Sequence, residues 1–428
     1  MSRLLSADLF DEETILDGIA GWVEIESPTF NADGVNRMMN TASGALENLG
    51  ATITRHPGRD GLGDAVVARL GSDEPGILVL AHLDTVHPVG SLRDMPARRD
   101  GDRFFGPGAY DMKGGAYLAV YALGVVMQHG RRLPLPVTFL FVPDEEIGSP
   151  TTRPLIEAEA RRNRYVLVPE PAQDRGNLIT GRWAFQRFKV EVRGMPAHAG
   201  ANQADGVSAI REIAAQIPAV EAISDSTRNI TVSVGVVHGG TFVNVVPDQC
   251  SAEVLAVSTT DADFEEVRRR MEDLRPLGHG VELEVRRGPV RPLFVPTPEG
   301  LALYERARAL ANVIGFDPGQ GTVGGGSDGN FTGALGIPTL DGVGVCGDAF
   351  HTRQEHLLVS SLVPRARLIA ELLLGGVAPR LDDEATLGAR DAGAESPQAN
   401  AVRTPVVDSG DDLIVDPRKR TRPPQLPG

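Results

Sequence analysis

Residues 11–23 carry apolar side chains at helical spacing behind acidic starters, and so predict a helix. Short unbroken apolar runs follow at 76–81 (GILVLA), 136–142 (PVTFLFV) and 165–168 (YVLV). Runs of this kind predict strands buried on both faces. A helical pattern over 114–128 lies between the first two. Strand, helix, strand, with polar clusters directly after each strand, is the order of an open α/β sheet. Such sheets bind ligands at the carboxyl ends of their strands.

The pattern changes near residue 181. Residues 183–192 alternate, 207–217 read as a helix, and 229–237 alternate again. A further strand is predicted at 252–257, a helix at 261–274 and a strand at 281–285. This β-α-β-β-α-β order is that of a ferredoxin-like unit, an antiparallel sheet with its helices on one face. Helix and strand-plus-glycine patterns of the first kind resume from 298 to about 374. The chain is therefore expected to hold a discontinuous α/β domain, residues 1–180 and 290–376, with a mixed sheet flanked by helices. An inserted α+β lid is expected at 181–289. From 377 to 428 the composition shifts to Asp, Ala, Gly, Pro and Arg without periodicity, which predicts a disordered tail. Its basic cluster, Arg418, Lys419, Arg420 and Arg422, is read as solvated.

A length of 428 residues suits two cores better than one. Hydrophobic residues make up 41% and charged residues 23%, the proportions of a globular protein. Lys and Arg number 42 against 57 Asp and Glu, a formal charge of −15 spread along the chain. That balance argues against nucleic acid and anionic membrane as main partners, because both need a basic face. Two cysteines, Cys250 and Cys346, exclude a disulfide framework and a Cys-rich zinc site. The N-terminal segment is acidic and has no long apolar run, so no secretion signal is read there. No stretch is long and apolar enough to span a membrane, and a cytoplasmic location is expected.

Five places carry candidate chemistry. His82 and Asp84 (AHLDTVHP) follow the first buried run, where His82 can hold a metal while Asp84 fixes its orientation. Asp111 lies in the glycine-rich turn GPGAYDMKGG, which lacks the spacing and the Lys-Ser/Thr pair of a nucleotide loop. Asp144, Glu145 and Glu146 (PDEEIGS) follow the second run, and such neighbours can divide metal binding from proton transfer. Glu170 (PEP) follows the third, and His351 (FHT) lies far along the chain behind the glycine-rich segment GGGSDG. Two imidazoles and three carboxylates make a mixed N/O donor set that suits zinc, with cobalt or manganese as substitutes. One shared carboxylate with two ligands on each side would form a two-metal site.

In order and wording these motifs resemble the co-catalytic dinuclear zinc peptidase and deacylase family. That family includes glutamate carboxypeptidase, acetylornithine deacetylase, succinyl-diaminopimelate desuccinylase and aminoacylase. The resemblance covers about residues 11–374 and includes the lid motif GMPAHAG. It implies two divalent metal ions bridged by Asp111, with His82 and Glu170 completing one site and Glu146 and His351 the other. It also implies Glu145 as general base, Asp84 as support for His82, and a cis peptide after Asp111. Dimerisation through the lid is implied too, with His198 reaching the neighbouring subunit's site to stabilise an oxyanion, and Asn244 on the substrate side. No role is assigned to His87, His238 or His356.

One position departs from the family. Many relatives carry Asp-x-Arg on a lid strand after Val-Val-Pro, and that arginine clamps the substrate's carboxylate. Counting from Val245-Val246-Pro247 gives Leu255-Ala256-Val257, and valine forms no bidentate bonds. Arg182, Arg187 and Arg353 are the candidate substitutes; otherwise the substrate lacks that carboxylate. The expected activity is hydrolysis of an amide-type C–N bond in a small molecule, as by a carboxypeptidase or N-acyl amino acid deacylase. The alternatives are hydrolytic deamination or deamidation of a small aromatic compound, and a non-catalytic binding protein that keeps the fold. The complete ligand set and Glu145 weigh against the last.

Overall fold

The computed structural model describes residues 4–173 and 176–375. The expected tail at 377–428 and its basic cluster lie outside them. Eight strands form a mixed sheet in the order Thr52–His56, Ala65–Leu70, Val137–Val142, Ile77–His82, Tyr165–Val168, Thr339–Asp341, Leu178–Arg182, Gln320–Val323. The three apolar runs read from the sequence are neighbours at its centre and run parallel. Every residue of Ile77–His82 and Val137–Val142 is buried. Ile77, Val79 and Ala81 face a core shared with helices Glu12–Val23, Gly114–Gln128, Pro298–Ile314 and Leu362–Leu373. Leu78 and Leu80 face the other side, where Ile156 and Ala160 of helix Arg153–Arg161 cover them. Cover on both faces explains why these strands read as unbroken apolar runs.

Helix Glu12–Val23 starts where Asp11 accepts the N–H of Thr14, the acidic cap anticipated from the sequence. Helix Ala32–Asn48 was not anticipated, nor was the antiparallel pair Thr52–His56 and Ala65–Leu70. Gly34, Gly44, Asn36 and Asn40 are weak helix formers. Burial of Met38, Met39, Ala42 and Leu46 against the core supplies the stability that local propensity lacks.

A second, antiparallel sheet has the order Thr231–Gly239, Gln249–Ser258, Ala184–Arg193, Glu282–Arg291. Helices Ala209–Glu221 and Asp261–Glu272 pack on one face of it around a separate core. This is the ferredoxin-like order. The last strand runs on to Arg291, past the predicted end at 285, through an irregularity between Arg287 and Val290. Phe188, Val190 and Val192 point to the helices, so Phe185, Arg187 and Lys189 point the other way. The two connections to the large sheet run side by side. Arg182 and Phe294 exchange backbone hydrogen bonds of 2.9 and 3.0 Å. Asn330 Nδ2 donates to the carbonyls of Trp183 and Pro292 at 3.0 and 2.8 Å.

A small third sheet, Gly347–Asp348, His356–Leu358, Arg103–Phe105 and Arg98–Asp100, joins the loop of His351 to the turn of Asp111. Among the described residues, no helix is long and apolar enough to cross a membrane.

Candidate metal centre

Parallel register brings the ligand-bearing ends of the central strands together. His82 is the last residue of its strand and stands beside Val142. Glu145 and Glu146 follow Val142, and Glu170 follows Val168, so three clusters leave one edge of the sheet. Asp111 approaches from the turn before helix Gly114–Gln128, and the Asp111–Met112 peptide is cis, as the resemblance implies. His351 comes from the loop between strands Gly347–Asp348 and His356–Leu358, in a left-handed conformation with φ of 62°.

The two oxygens of Asp111 face different imidazoles. Oδ1 lies 3.1 Å from His82 Nε2, and Oδ2 lies 3.3 Å from His351 Nε2. Glu170 Oε1 is 3.7 Å from His82 Nε2, and Glu146 Oε2 is 3.2 Å from His351 Nε2. His82, Asp111 and Glu146 offer ligand atoms within 4.8 Å of one another. Glu146 Oε1 is buried, with no hydrogen-bond partner among the described residues. A carboxylate oxygen left bare inside a protein is costly, and a divalent cation would satisfy it. The residues therefore fit a divalent metal ion.

His82 turns Nε2 towards this cluster because Nδ1 faces the main-chain oxygen of Asp84 at 3.0 Å, with the Asp84 carboxylate at 3.4 Å. Asp84 does more than orient His82. Its side chain accepts from Thr29 Oγ1 at 2.7 Å and from the N–H groups of Glu145 and Glu146 at 3.2 and 3.3 Å. It thus fixes the loop that carries both glutamates.

The charges of the cluster shift one another. Burial, with the negative charges of Asp111 and Glu145, pushes Glu146 up to about 8, although His351 opposes this. Burial also drives Glu170 well above the usual carboxylate range. Burial works against ionised Asp111, but hydrogen bonds from His351 and His82 hold it below the usual range. Hydrogen bonds to Asp111 and Glu146 raise His351 to about 10. Burial alone would lower His82, yet Asp111 and Asp84 bring it well above its ordinary value. Clustered carboxylates thus favour the protonated imidazoles, and a divalent ion among these groups would supply positive charge in place of those protons. Behind the turn, burial lowers Lys113 to about 7 against the pull of Glu355 and Glu26, and its Nζ donates to the Ile25 carbonyl at 2.6 Å.

Arg291 was missed in the sequence. It is 8% exposed, ends the inserted sheet, and donates from Nη2 to the Glu145 side chain and from Nη1 to Asp328. The only local cue is a charged residue inside the apolar segment VRPLF.

Of the three arginines considered for the missing clamp, Arg182 is fully engaged. It holds Asp341 at 2.7 and 2.8 Å and the Gly325 carbonyl at 2.8 Å. Arg353 is 79% exposed and lies 3.8 Å from Asp94. Arg187 stands on the open face of the inserted sheet, opposite Leu255, and its Nη1 donates to the Ile147 carbonyl at 3.1 Å. That face therefore turns towards the glutamate loop. Val257 lies on the same face, opposite Phe185 and Thr231.

His198 and Asn244 are exposed neighbours in the inserted unit, joined by the bond from Ala199 N to Asn244 O at 2.9 Å. His198 Nδ1 accepts the N–H groups of Gly200 and Ala201 at 3.2 and 3.1 Å. Among the described residues no hydrogen bond or ion pair joins either residue to the metal cluster.

Fold and site together define a metal-dependent hydrolase. The sequence pattern of peptidase family M20/M25/M40 matches residues 78–375, and the chain belongs to that family. It is 29% identical over 386 residues to carboxypeptidase G2 of Pseudomonas sp. (strain RS-16), a match covering 87% of this chain and 92% of the relative. Among solved structures it is similar to the M20 family metallo-carboxypeptidase Sso-CP2 of Sulfolobus solfataricus. There the TM-score is 0.70 at 16% identity, over 86% of this chain and 99% of the other. A tripeptidase of Staphylococcus aureus gives a TM-score of 0.68 at 22% identity, over 86% and 99%. At these identities the structural likeness is one of fold.

Proposed function

We propose that the protein hydrolyses an amide-type C–N bond in a small molecule at a two-metal centre, in the manner of a carboxypeptidase or N-acyl amino acid deacylase. The observation that carries this reading is Asp111, whose two oxygens face His82 and His351 separately. In it, His82, Asp111 and Glu170 would hold one ion, and Glu146, His351 and the same Asp111 would hold the other. Bound there, divalent ions, zinc above all, would supply Lewis-acid polarisation of the carbonyl and lower the pKa of water.

The chain's own groups do the rest. Glu145 takes a proton from the attacking water as oxygen bonds to the carbonyl carbon. It then returns that proton to the leaving nitrogen as the C–N bond breaks, so acid and amine are released. His198 presents Nε2–H, because Nδ1 already accepts two amides, and that donor suits the developing oxyanion. Asn244 beside it would contact substrate. His198 and Asn244 reach a site across a homodimer in this reading. Arg187 is the arginine whose position best supports a carboxylate-bearing substrate.

A second reading, hydrolysis of a C–N bond in a small aromatic compound, is favoured by the apolar row of Leu255, Val257 and Phe185 on that same face. The deciding experiment screens metal-loaded protein against acylated amino acids, dipeptides and small aromatic amides and amines. In parallel, Glu145→Ala should keep both metals while kcat falls by roughly 10³. An active Glu145→Ala protein would sink the proposed base.

A further inference from the structure

We propose that Glu355 and His87 are positioning residues of the metal centre, a buried pair that locks together the three segments carrying His82, Asp111 and His351. The inference rests on the two-metal reading above. Glu355 is 1% exposed and lies in the same loop as His351. Its Oε1 accepts the N–H groups of Tyr110 and Asp111 at 3.0 and 3.1 Å. Its Oε2 lies 2.5 Å from Nε2 of His87, in the segment that follows His82 and Asp84. Its main-chain oxygen accepts the N–H of Gly106, where the Asp111 turn begins.

One carboxylate thus grips the backbone on the amino side of Asp111, the segment after His82 and, through its own chain, the loop of His351. Glu355 is buried, so these hydrogen bonds are shielded from water and strengthened by the low polarity around them. The peptide they hold sets the direction of the Asp111 side chain, whose two oxygens must face different imidazoles. No hydrogen bond or ion pair joins Glu355 to His82, Glu146, Glu170 or His351 among the described residues, so it acts through Asp111 and not as a ligand.

The test measures metal dissociation constants by competition with a chromophoric chelator, the absorption spectrum of the cobalt-substituted protein, and the melting temperature of each variant. Groups that orient ligands typically change metal affinity by about 10–100-fold when removed. Glu355→Ala should weaken binding by about that factor and alter the cobalt spectrum. Glu355→Gln keeps an oxygen for the two amides and should restore most of the affinity. His87→Ala should weaken binding less, and His87→Gln, which keeps an N–H for Oε2, should recover it. If Glu355→Ala does not fold, the His87 pair decides. Variants that melt earlier but bind metal with unchanged affinity and spectrum would overturn the inference and reduce the pair to a brace of the fold. A wild-type protein that takes up no divalent metal would overturn the two-metal reading as well, whereas wild-type loading with equal loading of the variants would overturn this inference alone.

Discussion

Arg291 lays Nη2 2.6 Å from Glu145 Oε1 and 2.8 Å from the Glu145 carbonyl oxygen. The glutamate proposed as base is thus held at side chain and main chain by the residue that ends the inserted sheet. Nη1 of the same guanidinium lies 3.0 Å from Asp328. Arginine, Glu145 and Asp328 are all nine-tenths buried or close to it. Removing one member of such a set leaves charge stranded away from water, at a cost of about 3–5 kcal/mol. Arg291→Ala should therefore lose stability on that scale in urea unfolding, and kcat should fall because Glu145 loses its constraint. Arg291→Lys should retain more stability but not the two-pronged grip, and so should stay impaired in kcat. Wild-type stability in Arg291→Ala would mean that the pair is absent in solution.

That contact also shows what the sequence reveals and what it conceals. His82, Glu146 and Glu170 were legible because each ends or follows a buried strand, and parallel strands in register carry their ends to one edge. The ferredoxin-like order was legible from alternation and helical spacing. Arg291 and Glu355 were not, because their partners lie 146 and 245 positions away and no local pattern records such contacts. The apolar character of Leu255 and Val257 could be read directly. The presence of Arg187 beside Leu255 required the strand register.

Removal of metal should make stability depend on pH in a defined direction. His351 rises from its ordinary 6.5 to about 10 in the folded protein, and Glu146 from 4.5 to about 8. Both folded values lie above the unfolded ones, so the folded state holds the extra protons. Their stabilisation is present at low pH and is lost as pH rises, through about 8 for Glu146 and about 10 for His351. Chelated protein should melt at falling temperatures from about pH 4.5 to 10, with the buried Lys113, lowered from 10.5 to about 7, opposing part of the fall above pH 7. Zinc binds deprotonated ligands, so its stabilising effect should grow over the same interval. Thermal melts with chelator and with zinc check this; a zinc-induced shift that shrinks with rising pH would contradict the ligand assignment.

Arg187 separates the two substrate readings. A charged hydrogen bond to a substrate carboxylate contributes about 1.5–3 kcal/mol, or roughly 10–100-fold in binding. If Arg187 makes that bond, Arg187→Ala should raise KM for acylated amino acids by such a factor with kcat little changed. Substrates without the carboxylate should show no difference. Equal KM values for wild type and Arg187→Ala on every carboxylate-bearing substrate would leave the apolar face of Leu255 and Val257 as the better guide.

His198 offers the final test, through its tautomer. Two backbone N–H groups point at Nδ1, so the neutral ring must carry its proton on Nε2, as a donor to an oxyanion requires. Loss of one such donor typically costs about 10²–10³ in kcat. His198→Ala should show that loss with metal content unchanged. His198→Gln, which can place an amide N–H near the same position, should recover part of it. If the donor serves a second subunit, mixing His198→Ala with Glu145→Ala should restore turnover, because a mixed dimer then holds one site with both residues intact. Two inactive proteins that stay inactive after subunit exchange, verified by mass, would confine the site to one chain and rule out a donor from the second subunit, whereas a fully active His198→Ala protein would remove His198 from the mechanism.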